Sequence, residues 1–272
     1  MSGESLDEYM RLAGMYRDLW TAYEQHGPNR DLDPNDKEQA LDSAWAISHY
    51  FEVGRDALRI AIQALIGNRR PLPTSILDFP SGSGRVTRHF RAFFPATRIV
   101  ACDLYPNHVD FCRETLGTEG ILSRENPADV DFGEQFDLIF CGSLLTHLPE
   151  ELFRTTLNLL ARSLTDRGIA IVTLQGRYSE HIQRHKWKYL EDRLFDIALK
   201  GVRESGFGYV DYNHDFRQIF DRQARYGIAL VSPERAIRQI RDTPGVRILG
   251  YAERDWDNHQ DVAIFGKPDL NL

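Results

Sequence analysis

Between an apolar run and a helix-like one, residues Leu77 to Val86 read LDFPSGSGRV: an acid, a proline and two closely spaced glycines. Glycines at such a turn let a ligand approach the backbone, and the helix that follows offers it N–H groups. Three ligand classes use this device. A mononucleotide loop ends in Gly-Lys-Ser/Thr, and no such lysine follows Gly84. A dinucleotide loop needs a third glycine where Thr87 stands, and the carboxylate of Asp78 would repel a pyrophosphate. The same acid suits a ligand that carries an ammonium and a sulfonium. Asp103 closes the next apolar run, about 20 residues beyond Gly84, where a carboxylate can accept both hydroxyls of a ribose.

Asp78, Gly82, Gly84, Asp103 and then FDLIFCGSLLTHLPEE (136–151), in that order, resemble the class I S-adenosylmethionine-dependent methyltransferases, whose first motif is acid-x-Gly-x-Gly-x-Gly. Pro80 departs from it by replacing the first glycine, which fixes φ and removes an N–H. The resemblance covers residues 74–176 and, more loosely, 246–267. It implies S-adenosylmethionine as cofactor, held by Asp78, Phe79, Pro80, Ser81, Gly82 and Gly84, then Asp103 and Leu104, then Gly142 and Ser143. Ser123, Glu125 and Asp129 are the candidates for its adenine end. The implied reaction is methyl transfer to an oxygen or nitrogen of a small-molecule acceptor. A cofactor-binding subunit without turnover and an NAD-type oxidoreductase are the alternatives, the latter opposed by Asp78 and the missing glycine.

Other residues offer acid–base or recognition chemistry. His147, just past the fourth strand, and His259, in WDNHQD (256–261), have side chains able to take a proton near neutral pH. Asp257, His259 and Asp261 lack a second histidine at ligand spacing, so no metal is expected. Tyr50, in WAISHYFEVGRDAL (45–58), and Tyr178 and His181, in RYSEHIQRHKWKY (177–189), are candidates for contacting the acceptor. Trp45 and Phe51 are expected to pack a helical cap onto the sheet.

These groups need a scaffold, and the apolar pattern supplies one. Helical spacing runs through Leu6, Tyr9, Ala13, Tyr16 and Trp20, and again from about Lys37 through Leu41, Trp45 and Phe51, with a bend expected at Gly54. Strand and helix then alternate from SILDF (75–79) to GIAIVTLQG (168–176). The expectation is an α/β, Rossmann-like fold with a seven-stranded, mostly parallel sheet, an antiparallel last strand and a helical N-terminal cap. Its divisions are a cap over 1–70, a cofactor-binding core over 71–176, an inserted substrate cap over 177–235, and the rest of the core sheet over 236–272.

The formal charge of −7 and the absence of a lysine- or arginine-rich run speak against nucleic acid as partner. Cys102, Cys112 and Cys141 are too scattered for a disulfide framework; Cys102 and Cys141 read as small core residues. No basic-then-apolar leader and no membrane-length apolar stretch occur, so a cytoplasmic protein off the membrane is expected, its oligomeric state open.

Overall fold

The computed structural model describes residues 3–36, 42–212 and 225–268. Leu41, expected on the inner face of the second helix, lies outside them. The described residues divide into two compact units, residues 1–122 with 136–140, and residues 123–135 with 141–272.

In the first unit, α1 (Gly3–His26) and α2 (Ala44–Gly67) precede the first strand. Ser43 starts α2: its Oγ accepts the Ala46 N–H at 3.1 Å, satisfying one of the donors a helix N-terminus leaves open. The helix is continuous through Gly54. That glycine permits close approach, since a Cβ there would stand 2.1 Å from the Arg85 carbonyl oxygen. Then come β1 (Ser75–Asp78), α3 (Thr87–Phe93), β2 (Arg98–Asp103), α4 (Pro106–Leu116), β3 (Glu119–Leu122) and β4 (Phe136–Cys141). Pro106 opens α4 and Gly117, at φ 65°, closes it.

Aromatic packing pins α1 to α3. Tyr16 stacks on Phe93 at 6.3 Å and meets Phe94 edge-on at 6.5 Å. Each buried aromatic of this kind contributes about 1.5–3 kcal/mol. Phe51 is buried as expected, but Trp45 is 74% exposed and stacks on His49, so it does not pack the cap. Six residues, about one and two-thirds turns, separate the two, and only Phe51 lies on the inner side.

The second unit holds α5 (Glu150–Arg162), β5 (Leu164–Leu174), α6 (Tyr178–His185), α7 (Asp192–Ser205), β6 (Phe207–Asp211), β7 (Gly227–Val231), α8 (Pro233–Arg241), β8 (Arg247–Trp256) and β9 (Gln260–Gly266). Ser232 caps α8 by accepting the Arg235 N–H, with Pro233 in the first turn. β6 and β7 form an antiparallel pair of their own, Phe207 opposite Val231. Phe195, Ala198, Leu199, Ile228 and Leu230 bury that pair against α7.

Among the described residues, seven strands form one sheet in the order β3-β2-β1-β4-β5-β9-β8. β1 pairs in parallel with β2 and β4, and β2 with β3. β9 runs antiparallel to both neighbours, with Leu174 opposite Asp261. The expected Rossmann-like sheet with an antiparallel last strand is therefore present. Cys102, Cys112 and Cys141 are buried free thiols, and none of the described helices is long and apolar enough to cross a membrane.

Candidate active site

In the first unit, the parallel strands end where the sequence placed its acids. Asp78 closes β1, 1% exposed, and its Oδ2 accepts the Thr87 hydroxyl at 2.5 Å. Burial foremost, with the Asp103 charge adding, pushes its carboxyl up to about 7; the Thr87 hydrogen bond opposes this. Thr87, occupying the place of a third glycine, is thus the partner of the acid.

The loop between them is fixed by its own backbone. Phe79 donates its N–H to Phe140 O at 3.0 Å, the Phe79–Pro80 bond is cis, and the Ser81 N–H reaches Cys102 O at 2.9 Å. Gly82 and Gly84 take φ of 50° and 78°, which side chains other than glycine's rarely adopt. A Cβ on Gly84 would strike Leu116 Cδ1 at 2.3 Å, whereas one on Gly82 would meet nothing within 4 Å. The loop is seated on α4 through Gly84 and open beside Gly82, and that opening fits a ligand laid against the backbone.

Asp103 closes β2 and ties the loop down. Its Oδ2 accepts the Gly82 N–H at 2.8 Å, and its Oδ1 accepts the Tyr105 N–H at 3.0 Å and faces His108 Nδ1 at 3.3 Å. Leu104, beside it, is half-buried.

Sequence reading missed the residue that clamps the other side of this loop. Arg88, in the first turn of α3, is 1% exposed. Its guanidinium donates to Gly84 O at 2.9 Å and Ser83 O at 3.1 Å, and to Asn29 O and Asp31 O at 3.0 and 2.7 Å. Ser83 Oγ donates to Asp33 Oδ2 at 2.8 Å. Tyr50, a candidate for the acceptor, is buried in the same network: its hydroxyl donates to Ser83 O at 3.3 Å and accepts from Arg88 Nη2 at 3.3 Å. Burial pushes that phenol up to about 12.

In the second unit, Gly142 and Ser143 follow β4, both half-buried, with Ser143 at φ 57°. The Ser143 N–H reaches Thr173 Oγ1 at 2.8 Å, Thr173 donates to Gln260 Oε1 at 2.6 Å, and Gln260 Nε2 returns to Ser143 Oγ at 3.0 Å. Gln260, the first residue of β9, thus sets the turn after β4; nothing in its local sequence announces this. His147 donates from Nδ1 to Gly227 O at 2.8 Å and stacks on Tyr226 at 4.7 Å. That bond makes Nε2 the basic nitrogen of the neutral ring.

His259 turns its Nδ1 to Asp257, 3.2 Å from the carbonyl oxygen and 3.3 Å from the carboxylate. Asp261 is buried, accepting Tyr251 OH at 2.7 Å and the Arg254 N–H at 3.0 Å. Tyr178 lies under the Arg254 guanidinium at 3.7 Å and stacks on the exposed ring of His181 at 4.9 Å. Ser123 donates to Arg124 O; Glu125 and Asp129 flank Asn126, which caps the short turn 127–129. Among the described residues, no group of three His, Cys, Asp or Glu side chains is placed to hold a metal.

A sheet of this order, with an acid ending each of its first two strands and a glycine loop after the first, is a Rossmann-like fold. Residues 76–168 match the family model described as a methyltransferase domain. That stretch of the chain carries a methyltransferase domain. No curated protein matches its sequence.

Its fold is similar to that of an S-adenosylmethionine-dependent methyltransferase from Clostridium acetobutylicum, at 12% identity and a TM-score of 0.52, covering 93% of this chain and 99% of that one. The 1,6-didemethyltoxoflavin-N1-methyltransferase of Burkholderia thailandensis is similar at 16% identity and a TM-score of 0.51, covering 97% and 90%. The glycopeptide N-methyltransferase MtfA is similar at 11% identity and a TM-score of 0.51, covering 84% and 100%.

Proposed function

We propose that the enzyme transfers a methyl group from S-adenosylmethionine to an oxygen or nitrogen of a small-molecule acceptor in the cytoplasm. The observation that carries the cofactor side is the opening beside Gly82, with the buried carboxylates of Asp78 and Asp103 on the two strands that flank it. Asp78 is the counter-charge for the cofactor's ammonium, Asp103 receives its ribose hydroxyls, and residues 79–84 lie along it. Gly142 and Ser143 are assigned to the cofactor by resemblance, their turn supported by Gln260.

The cofactor supplies an electrophilic methyl. The protein's part is alignment and exclusion of water, which can account for much of the acceleration of such a transfer. For a hydroxyl acceptor, His147 is assigned as the base: its Nδ1–H is committed to Gly227 O, so Nε2 takes the proton. His259 is the second candidate. A neutral amine acceptor needs neither. Tyr178 and His181 are assigned to the acceptor, and Tyr50 to holding the loop rather than the substrate.

Titration calorimetry with S-adenosylhomocysteine and with NAD tests this reading. Saturable binding of the first and none of the second is expected; NAD binding alone would overturn it. A screen for S-adenosylhomocysteine release against hydroxylated and amine-bearing metabolites then identifies the acceptor. Tyr178→Ala and His181→Ala should impair turnover and spare cofactor binding.

A further inference from the structure

Lysines and arginines form no run in this acidic chain, yet folding gathers five of them around one cavity of the second unit. Arg154 and Arg162 lie on α5, Arg235 and Arg238 on α8, and Lys267 follows β9. Spacings of three, four and eight residues set side chains on one face of a helix. Both helices turn such a face to the same cavity, which measures about 770 Å³. That is the size of a small-molecule site rather than of a single ion.

The charges around it do not cancel. Arg235 is committed to Glu150, its Nε donating to Oε1 at 3.0 Å, and Asp242 is paired with Arg241 at 2.7 Å. Arg162 gives one nitrogen to the Val130 carbonyl at 2.9 Å, which leaves its charge uncompensated. Among the described residues, Arg154, Arg162, Arg238 and Lys267 have no carboxylate partner, and Glu151 is the one acid of the lining without a cation. Like charges around a low-dielectric cleft repel one another and focus a positive potential into it, here in a chain of net charge −7.

The cavity is braced and stands apart from the candidate active site. Gln239, buried in its lining, donates Nε2 to the Glu150 Oε1 that also holds Arg235, at 2.6 Å, so α5 and α8 are tied together beside it. Thr243, also buried there, donates its hydroxyl to the Gln239 carbonyl at 2.9 Å. Gln260, at the first residue of β9, sets the turn after β4 through Ser143. Lys267 lies past the other end of that strand, roughly 20 Å away.

We propose that the cavity between α5 and α8 is a second ligand site, separate from the methyl-transfer centre, and that it takes a small molecule bearing a chain of phosphate groups. A single charged group cannot meet cations drawn from two helices and a strand end, whereas a phosphate chain spreads its charge as they are spread. Guanidinium forks pair with phosphate oxygens two at a time, and the Lys267 ammonium adds a point charge. Nucleoside polyphosphates and inorganic polyphosphate share this chemistry.

The test is titration calorimetry on the full chain with tripolyphosphate and with ATP, without metal and with excess S-adenosylhomocysteine present to keep ATP out of the proposed cofactor site. Both should bind, and more weakly as salt is raised. Tighter ATP would assign the site to a nucleoside polyphosphate, and equal affinities to the phosphate chain itself. Arg154→Gln, Arg238→Gln and Lys267→Gln should each weaken tripolyphosphate about tenfold, the size of one charge-assisted hydrogen bond. Glu151→Gln, which removes the opposing charge, should strengthen it. Lys200→Gln makes the same change on α7, outside the cavity, and should alter nothing. No binding of either probe at millimolar concentration, unchanged affinity in all three cavity variants, or an equal loss in Lys200→Gln would each overturn the site.

Discussion

Asp103 Oδ2 accepts the Gly82 N–H at 2.8 Å, so the acid that ends one strand holds the loop that follows its neighbour. On the proposed reading one carboxylate has two duties, loop anchor and ribose acceptor. Charge-assisted hydrogen bonds contribute about 1.5–3 kcal/mol each. Asp103→Ala is expected to weaken S-adenosylhomocysteine at least about tenfold by calorimetry. Asp103→Asn keeps an acceptor for Gly82 and should lose less. Equal affinity in a folded alanine variant would remove Asp103 from the cofactor site.

Asp78 makes both stability and binding depend on pH. Its folded carboxyl titrates near 7, against an ordinary value of 3.8, so between those values the folded chain holds a proton that the unfolded chain has released. The stabilisation from this group is full below about pH 4 and is lost as pH rises through about 7. Asp78→Asn should therefore be more stable than wild type at pH 8, by on the order of 4 kcal/mol at most, with no difference near pH 4. On the proposed reading cofactor binding runs the other way, because the ammonium needs the ionised acid. Wild-type affinity should fall up to about tenfold for each pH unit below 7, while the asparagine variant binds weakly with a flat profile. A flat wild-type profile from pH 8 to 6 would detach Asp78 from the ammonium.

Gly82 and Gly84 should respond differently to alanine. Both have positive φ, which costs an alanine about 1 kcal/mol. Gly84→Ala adds a collision with Leu116 and should destabilise by about 2–3 kcal/mol more, read from urea midpoints. Gly82→Ala meets open space, so the chain should stay folded and lose cofactor affinity. Unchanged affinity in Gly82→Ala would mean that the ligand does not lie there.

Arg88→Met keeps the apolar length and deletes the donors, leaving the carbonyls of Ser83, Gly84, Asn29 and Asp31 without this partner. Unfolding free energy should drop by about 3 kcal/mol or more. Arg88→Lys cannot fan out to four carbonyls and should restore little. A methionine variant as stable as wild type would show that water replaces the guanidinium.

The mostly parallel sheet was legible, though not its strand order, because apolar strands bounded by turn residues alternate with helical spacing; Asp78, Gly82, Gly84 and Asp103 were legible from their spacing. Arg88 was not. Its carbonyl partners Asn29 and Asp31 are 59 and 57 residues away, and a basic residue between Thr87 and His89 reads as solvated. Gln260 hides for the same reason: it faces Ser143, 117 residues back. The close approach of Gly54 to the Arg85 carbonyl was not legible either, because it too joins segments distant in sequence. Trp45 and Phe51 are alike in sequence character, and only the rotation of α2 separates them.

Arg88 also decides what can be excised. The family match begins at residue 76, and a fragment cut there would contain the glycine loop, the acids and the guanidinium. It would lack the carbonyls of Asn29 and Asp31, the Asp33 carboxylate and the Tyr50 hydroxyl, all of which lie upstream. The charge of Arg88 would be left in the interior with three of its five acceptors gone. The stretch recognisable as a module by descent is therefore not a module by energetics, and the shortest autonomous form of this unit has to begin ahead of Asn29.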